Sequence, residues 1–241
     1  FQTAYLKTHY PVEFMAALMT SVVDNTAKVA GYIYACRQMN IRLLPPDVNE
    51  SERGFSVENG AIRFGLSAIK SLGRPTIAAI VNERKNAPFT TMQDFITRMF
   101  SELNKRTIEN LIKSGAFDTF GNNRRQMMSV YARMLDNEAK QGKDAISGQM
   151  SLFDLVDESE KSQFEIKMPD VSEYTKEDIL AFEKEVLGVY VSGHPLDEYA
   201  AMWKKHISAM STDFELDDET GEPKVKVDSK ATIGGMIMAK S

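Results

Sequence analysis

Between Gly65 and Gln141 the sequence repeats a helical apolar period and interrupts it at Gly73, at Pro88 and over residues 115–122. Helical stripes this short are marginal alone, so they must pack against one another as hairpins of helices. The flanks read differently. Ahead of this region, Pro11 opens a helix to about Ser21 with Val12, Phe14, Met15, Leu18 and Met19 as its apolar stripe. Asp24, Asn25 and Thr26 then offer caps for a second helix carrying Val29, Tyr32, Ile33, Cys36 and Met39, which ends at Asn40. Residues 41–44 read extended up to Pro45-Pro46, and two alternating runs, 55–58 and 61–64, flank Asn59-Gly60, a strong hairpin signal.

Residues 142–172 lose the pattern and read as an acidic, mobile linker in which Leu152, Phe153 and Leu155 stand out as apolar. A helix resumes from about Ser172 to Gly188, and a short one follows with Leu196, Tyr199, Met202 and Trp203. The acidic stretch from Asp213 to Glu222 reads as a loop, and Val225–Val227 with Ala231–Met238 read as two strands of a β-domain. Phe1 in place of Met, and an apolar run close to Ser241, are expected of a piece of a longer chain.

Charge separates the same regions. The net is −5 overall, yet residues 61–133 hold 12 basic against 5 acidic side chains, while residues 151–241 are net acidic. A basic stripe on helices attracts phosphate polyanions. The longest apolar run, Phe14 to Met19, is far below the roughly 18 residues that span a bilayer, so no membrane contact is expected. One cysteine, Cys36, excludes a disulfide framework and a cysteine-rich zinc site and agrees with a reducing, cytoplasmic setting. His9, His194 and His206 are too scattered for zinc, and the acidic loop lacks calcium-loop spacing. Asp47 has no second carboxylate two residues on, so no catalytic centre is expected in this chain and no cofactor.

Lys70-Ser71-Leu72-Gly73-Arg74-Pro75 lies between two short helical runs and resembles a helix-hairpin-helix motif. Gly73 is expected to take a positive φ and to admit a nucleic-acid backbone, and the helix starting at Pro75 turns free amides outward as an anion site. Lys70 and Arg74 flank that site, and Leu72 supplies the apolar residue of the turn. The motif usually has another glycine where Ser71 stands. A second copy follows: a helix over 104–116, a turn with Phe120 and Gly121, and a helix from Asn122 that opens with Arg124 and Arg125. Two hairpins in tandem can hold phosphates of both duplex strands without reading bases. The same pattern also fits a helical packing unit with exposed arginines, a scaffold that would not bind DNA at low salt.

In the linker, Gln149, Ser151, Leu152 and Phe153 resemble the peptide that docks bacterial polymerases on their sliding clamp, with Gln149 at a groove edge and Leu152 and Phe153 in an apolar pocket. Residues 1–7 and 10–18, Leu44-Pro45-Pro46-Asp47-Val48-Asn49, residues 62–66, residues 111–118 and residues 183–196 together resemble, in order, the C family of bacterial replicative DNA polymerases, the alpha subunits of DNA polymerase III.

The resemblance implies a mainly α chain: the end of a fingers domain over 1–54, a tandem helix-hairpin-helix domain with a small β-hairpin over 55–141, a clamp-binding linker over 142–172, a helical connector over 173–210 and the truncated start of an OB β-barrel over 211–241. It implies a DNA-directed DNA polymerase, a nucleotidyltransferase whose palm carboxylates hold Mg²⁺ and would lie before Phe1, so that the piece itself is non-catalytic. The implied partners are duplex primer-template DNA, the sliding clamp (beta subunit) and other replicase holoenzyme subunits. A repair enzyme that borrows tandem hairpins suits residues 1–18 and 188–195 poorly.

Overall fold

The computed structural model describes residues 2–146, 166–209, 211–214, 222–226 and 228–235. They form two units, Phe1–Ser192 and Gly193–Ser241.

The first unit opens with α1 (Gln2–His9), α2 (Pro11–Ser21) and α3 (Thr26–Gln38). Pro11 begins α2 where a missing N–H costs nothing, and Met15, Ala16 and Met19 form its buried side. Asn25 caps α3 by accepting the Lys28 amide at 3.1 Å. Val29, Ile33 and Cys36, spaced four and three residues apart, are buried on one face. Burial pushes the Cys36 thiol up to about 11, so it sits there as a small apolar side chain.

Three short strands follow: β1 (Leu43–Leu44), β2 (Ser56–Glu58) and β3 (Ala61–Arg63), in spatial order β1-β3-β2. β2 and β3 are antiparallel in the register Ser56↔Arg63, Val57↔Ile62, Glu58↔Ala61. Asn59 (φ 50) and Gly60 (φ 74) both take left-handed backbone, as a two-residue turn that follows the strand twist requires. The Arg63 guanidinium donates twice to Glu58 across the hairpin, at 2.8 and 2.9 Å. Those hydrogen bonds hold the Glu58 carboxyl below its ordinary range, against the smaller opposing effect of burial.

The helical body comprises α4 (Arg74–Glu83), α5 (Met92–Met99), α6 (Lys105–Ser114), α7 (Arg124–Ile146) and α8 (Lys176–Leu187). Thr91 and Asn104 cap α5 and α6. Thr175 and Asp178 form a capping box on α8, and Gly188 at φ 75 ends it. Phe89, Phe95, Phe117 and Phe120 run as a chain of ring contacts, with successive centroids 4.8, 5.0 and 5.5 Å apart. Ile108, Leu111 and Ile112 of α6 are fully buried in the same core, each contributing roughly 1.5–3 kcal/mol of apolar burial. α7 continues to Ile146, past the end expected at Gln141, because one internal glycine, Gly142, costs only about 1 kcal/mol in a long helix. Asp47 is a turn residue: its buried carboxylate accepts the Asn49 amide at 2.7 Å and the Thr119 hydroxyl at 2.8 Å.

The second unit carries a 3₁₀ turn (Asp197–Tyr199), α9 (Ala200–His206) and another 3₁₀ turn (Ser211–Phe214). The strands expected at 225–227 and 231–238 are not formed in the described residues. Residues 231–235 are exposed, and among the described residues their hydrogen bonds run through Thr232, whose carbonyl accepts the Ser208 amide at 2.9 Å. An apolar run becomes a strand only when a partner edge and a covering layer are present. Apolar residues alone do not supply them.

Candidate nucleic-acid interface

The two hairpins fold by different means. In the first, Gly65 leads into a 3₁₀ turn (Leu66–Ala68) where a first helix was expected. The chain turns at Ser71, whose φ of 65 is left-handed, while Gly73 has φ −72 and is the N-cap of α4. Positive φ therefore falls on Ser71, the place where the motif usually has glycine, and the expectation for Gly73 is corrected. The turn is pinned from outside. The Lys70 amide donates to the Val186 carbonyl at 2.9 Å, and Asn110 Nδ2 donates to the Lys70 carbonyl at 2.7 Å. Leu72 is buried beneath the turn, so only its backbone faces outward.

Gly73 has no side chain with which to cap α4, and Pro75 brings no N–H. The Ile77 amide bonds the Gly73 carbonyl at 3.0 Å, leaving the N–H groups of Arg74 and Thr76 without an acceptor among the described residues. Arg74 is exposed beside them. Lys70 is exposed too, and its ammonium spends one donor on the Glu185 carbonyl at 2.6 Å and keeps two. A methyl group at Gly73 would meet only Pro75 Cδ, at 3.6 Å, so the approach to these amides is open.

The second hairpin is closed by its own chain. α6 ends on Gly115 at φ 83, a 3₁₀ turn (Asp118–Phe120) follows, and Gly121 at φ 82 is left-handed. Phe120 is half-buried, stacked on Phe117, and Gly121 is exposed with nothing within 4 Å of an added Cβ. The N-terminus of α7 is taken: Glu173 accepts the Arg124 amide at 2.9 Å and the Arg125 amide at 3.2 Å, and Asn123 accepts the Gln126 amide at 2.8 Å. A carboxylate thus occupies the position of an anion at this helix end.

The adjacent arginines part company. Arg124 is 4% exposed. Its Nε and Nη2 donate to Asp118 at 3.0 and 2.7 Å, Nη1 donates to the Lys113 carbonyl at 3.0 Å, and Nη2 lies 3.7 Å from the fully buried Glu183 Oε1. Burial works against its charge, but the bonds to Asp118 and the attraction of Asp118, Glu183 and Glu173 outweigh it, and its pKa is raised. Arg124, expected to contact phosphate, is in this conformation an internal strut, because every face of its guanidinium is already engaged. Arg125 is exposed, with its guanidinium 5.9 Å from the Tyr174 ring centroid.

The structure therefore places Lys70, Gly73 and Arg74 together around open amides, sets Phe120, Gly121 and Arg125 on the second turn, and withdraws Leu72 and Arg124 from the surface. Glu173, which sequence reasoning missed, gives no local signal, since it lies 48 residues beyond Arg125. Gln149, Ser151, Leu152 and Phe153 lie outside the described residues. Among the described residues no group of three or more His, Cys, Asp and Glu is placed to hold a metal ion, and no helix is long and apolar enough to cross a membrane.

A family described as a helix-hairpin-helix motif matches residues 40–127. Along more of its length the chain is similar to DNA polymerase III subunit alpha from several bacteria. It is 40% identical to that of Campylobacter jejuni over 92% of this chain and 19% of the relative. It is 42% identical to that of Bacillus subtilis over 82% and 17%, and 36% identical to that of Vibrio cholerae over 99% and 20%. The chain spans about a fifth of the length of these relatives.

Proposed function

The chain aligns as a segment of the DNA polymerase III alpha family, and from that premise we propose that it serves DNA replication by holding duplex primer-template DNA through its phosphates. The observation that carries this reading is the uncapped start of α4, where the free amides of Arg74 and Thr76 stand beside the exposed Arg74 inside the helix-hairpin-helix match. A helix N-terminus with flanking cations and a bare glycine accepts a phosphate oxygen without reading a base. Arg125 adds a further contact from the second turn. The two hairpins act unequally, the first as the open grip and the second as a braced support whose helix end is held by Glu173.

Nucleotidyl transfer, with its Mg²⁺-binding carboxylates, belongs in this proposal to the parts of the family's proteins that this chain does not span. The polymerase activity of a whole protein, its sliding clamp, its other holoenzyme subunits and its bacterial cytoplasmic setting belong to the same proposal. Clamp tethering rests on Gln149, Ser151, Leu152 and Phe153 as a peptide that lays Leu-Phe into an apolar pocket.

Fluorescence anisotropy of a labelled duplex tests the DNA reading, with Arg74→Ala/Arg125→Ala beside the parent chain. Loss of binding in the variant supports the phosphate grip, and unchanged binding refutes it. Clamp affinity unchanged by Leu152→Ala/Phe153→Ala refutes the tether.

A further inference from the structure

The outer face of α4 carries an open groove of about 720 Å³ that extends beyond the hairpin turn. Arg74, Ala78 and Asn82 of α4 line it, with Lys85 from the turn after α4 and Glu52 and Arg53 from the segment before β2. The three α4 residues are four apart, so they share a side of the helix. At 1.5 Å per residue α4 from Arg74 to Glu83 is about 14 Å long, and Lys85 lies beyond its C-terminal end.

Its charge is one-sided. Arg53, Arg74 and Lys85 are exposed, and no carboxylate bonds to any of their side chains among the described residues. The acids nearby are already matched: Glu52 pairs with Arg84 at 2.8 Å, and Glu83, at the end of α4, pairs with Arg98 at 3.0 Å. Three free cations along a trough repel one another unless an anion lies between them.

The spacing selects the kind of anion. A single phosphate cannot reach both Arg74 and Lys85 across the length of α4, about 14 Å. One strand of B-DNA presents a charge about every 3.4 Å along the axis, so several consecutive phosphates fit that length. Arg74, whose amide is one of the two open N–H groups, also lines the groove, so a strand held at the hairpin continues into it.

We propose that this groove receives the sugar-phosphate backbone of one strand of the duplex as it leaves the first hairpin, with Arg53 and Lys85 as phosphate contacts. The inference rests on the reading of the first hairpin as a duplex grip and extends it to two residues outside the turn.

The test is the salt dependence of binding of a labelled 20-base-pair duplex to the 241-residue chain, to Arg53→Ala/Lys85→Ala, and to Lys28→Ala/Lys176→Ala. The last variant removes the same charge from two exposed residues outside the groove. Each phosphate contact contributes about 0.9 to the slope of log K against log salt, so the groove variant should lose about 1.8 from its slope. Its loss of affinity between 50 and 200 mM salt should be about twelvefold smaller than that of the parent chain. The control should keep the parent slope, and matching urea midpoints should show that all three fold alike. Binding by the parent chain with equal slopes in both variants overturns the groove while leaving the hairpin grip standing. No binding by the parent chain at 50 mM salt overturns the grip and the groove together.

Discussion

Replacing Arg124 with alanine should cost folding stability first and duplex binding only as a consequence. The substitution removes two hydrogen bonds to Asp118 and one to the Lys113 carbonyl, and it takes away the positive charge facing Glu183. Glu183 is 0% exposed, and its Oε1 has no hydrogen-bond partner, so the Arg124 charge at 3.7 Å is what balances it. Breaking a buried pair from one side costs about 3–5 kcal/mol. Asp118 remains 42% exposed and can be resolvated, so the lower end, about 3 kcal/mol, is expected. With a urea slope of about 2 kcal/mol per molar, the midpoint followed by far-ultraviolet circular dichroism should fall by about 1.5 M. Arg124→Met combined with Glu183→Gln removes both charges and should recover more than half of that loss. Arg125→Ala, which touches no buried acid, should leave the midpoint unchanged and weaken duplex binding. A midpoint shift below about 0.3 M for Arg124→Ala would refute the assignment of this arginine as a strut.

Other outcomes follow from the same geometry. Gly73→Ala has ordinary φ and an ordinary Cβ contact, so stability should stay within about 0.5 kcal/mol while a methyl group over the α4 amides weakens duplex binding; equal affinity by anisotropy contradicts the open grip. Glu173→Ala should cost about 1 kcal/mol of cap stability yet free the α7 amides, steepening the salt slope by about one; a shallower slope contradicts self-occupancy of that helix end. The Glu58 carboxyl is held below its ordinary value of 4.5, so its contribution is full above that pH and is lost as pH falls through the lowered value. Urea midpoints between about pH 5 and pH 2 should therefore vary less in Glu58→Gln than in the parent chain, and identical profiles contradict the pairing with Arg63.

Local patterns foretold the elements that local chemistry decides. Pro11, Asn25 and the Asn59-Gly60 turn begin or reverse the chain where their backbone preferences say they should. The site was legible only in part. The sequence around Arg124 and Arg125 treats them as equals, and what separates them is that the Arg124 guanidinium is taken by Asp118 and the Lys113 carbonyl and faces the buried Glu183 on α8, brought in from 59 residues away. The exchange between Ser71 and Gly73 has a similar origin. Bonds from Lys70 to Val186 and from Asn110 to Lys70 hold the turn in a shape that places the left-handed residue at Ser71. In the second unit, residues 231–235 belong to a run read as a strand, but no neighbouring edge among the described residues turns them into one.

The most direct measurement is the affinity of the 241-residue chain for two duplexes of unrelated sequence as salt rises from 50 to 200 mM. Phosphate contacts by Lys70, Arg74 and Arg125 predict a slope of at least about −2.7 for log K against log salt, the same for both sequences. Affinity that ignores salt, prefers one sequence, or is absent at 50 mM would contradict the proposal that these hairpins hold DNA by its backbone.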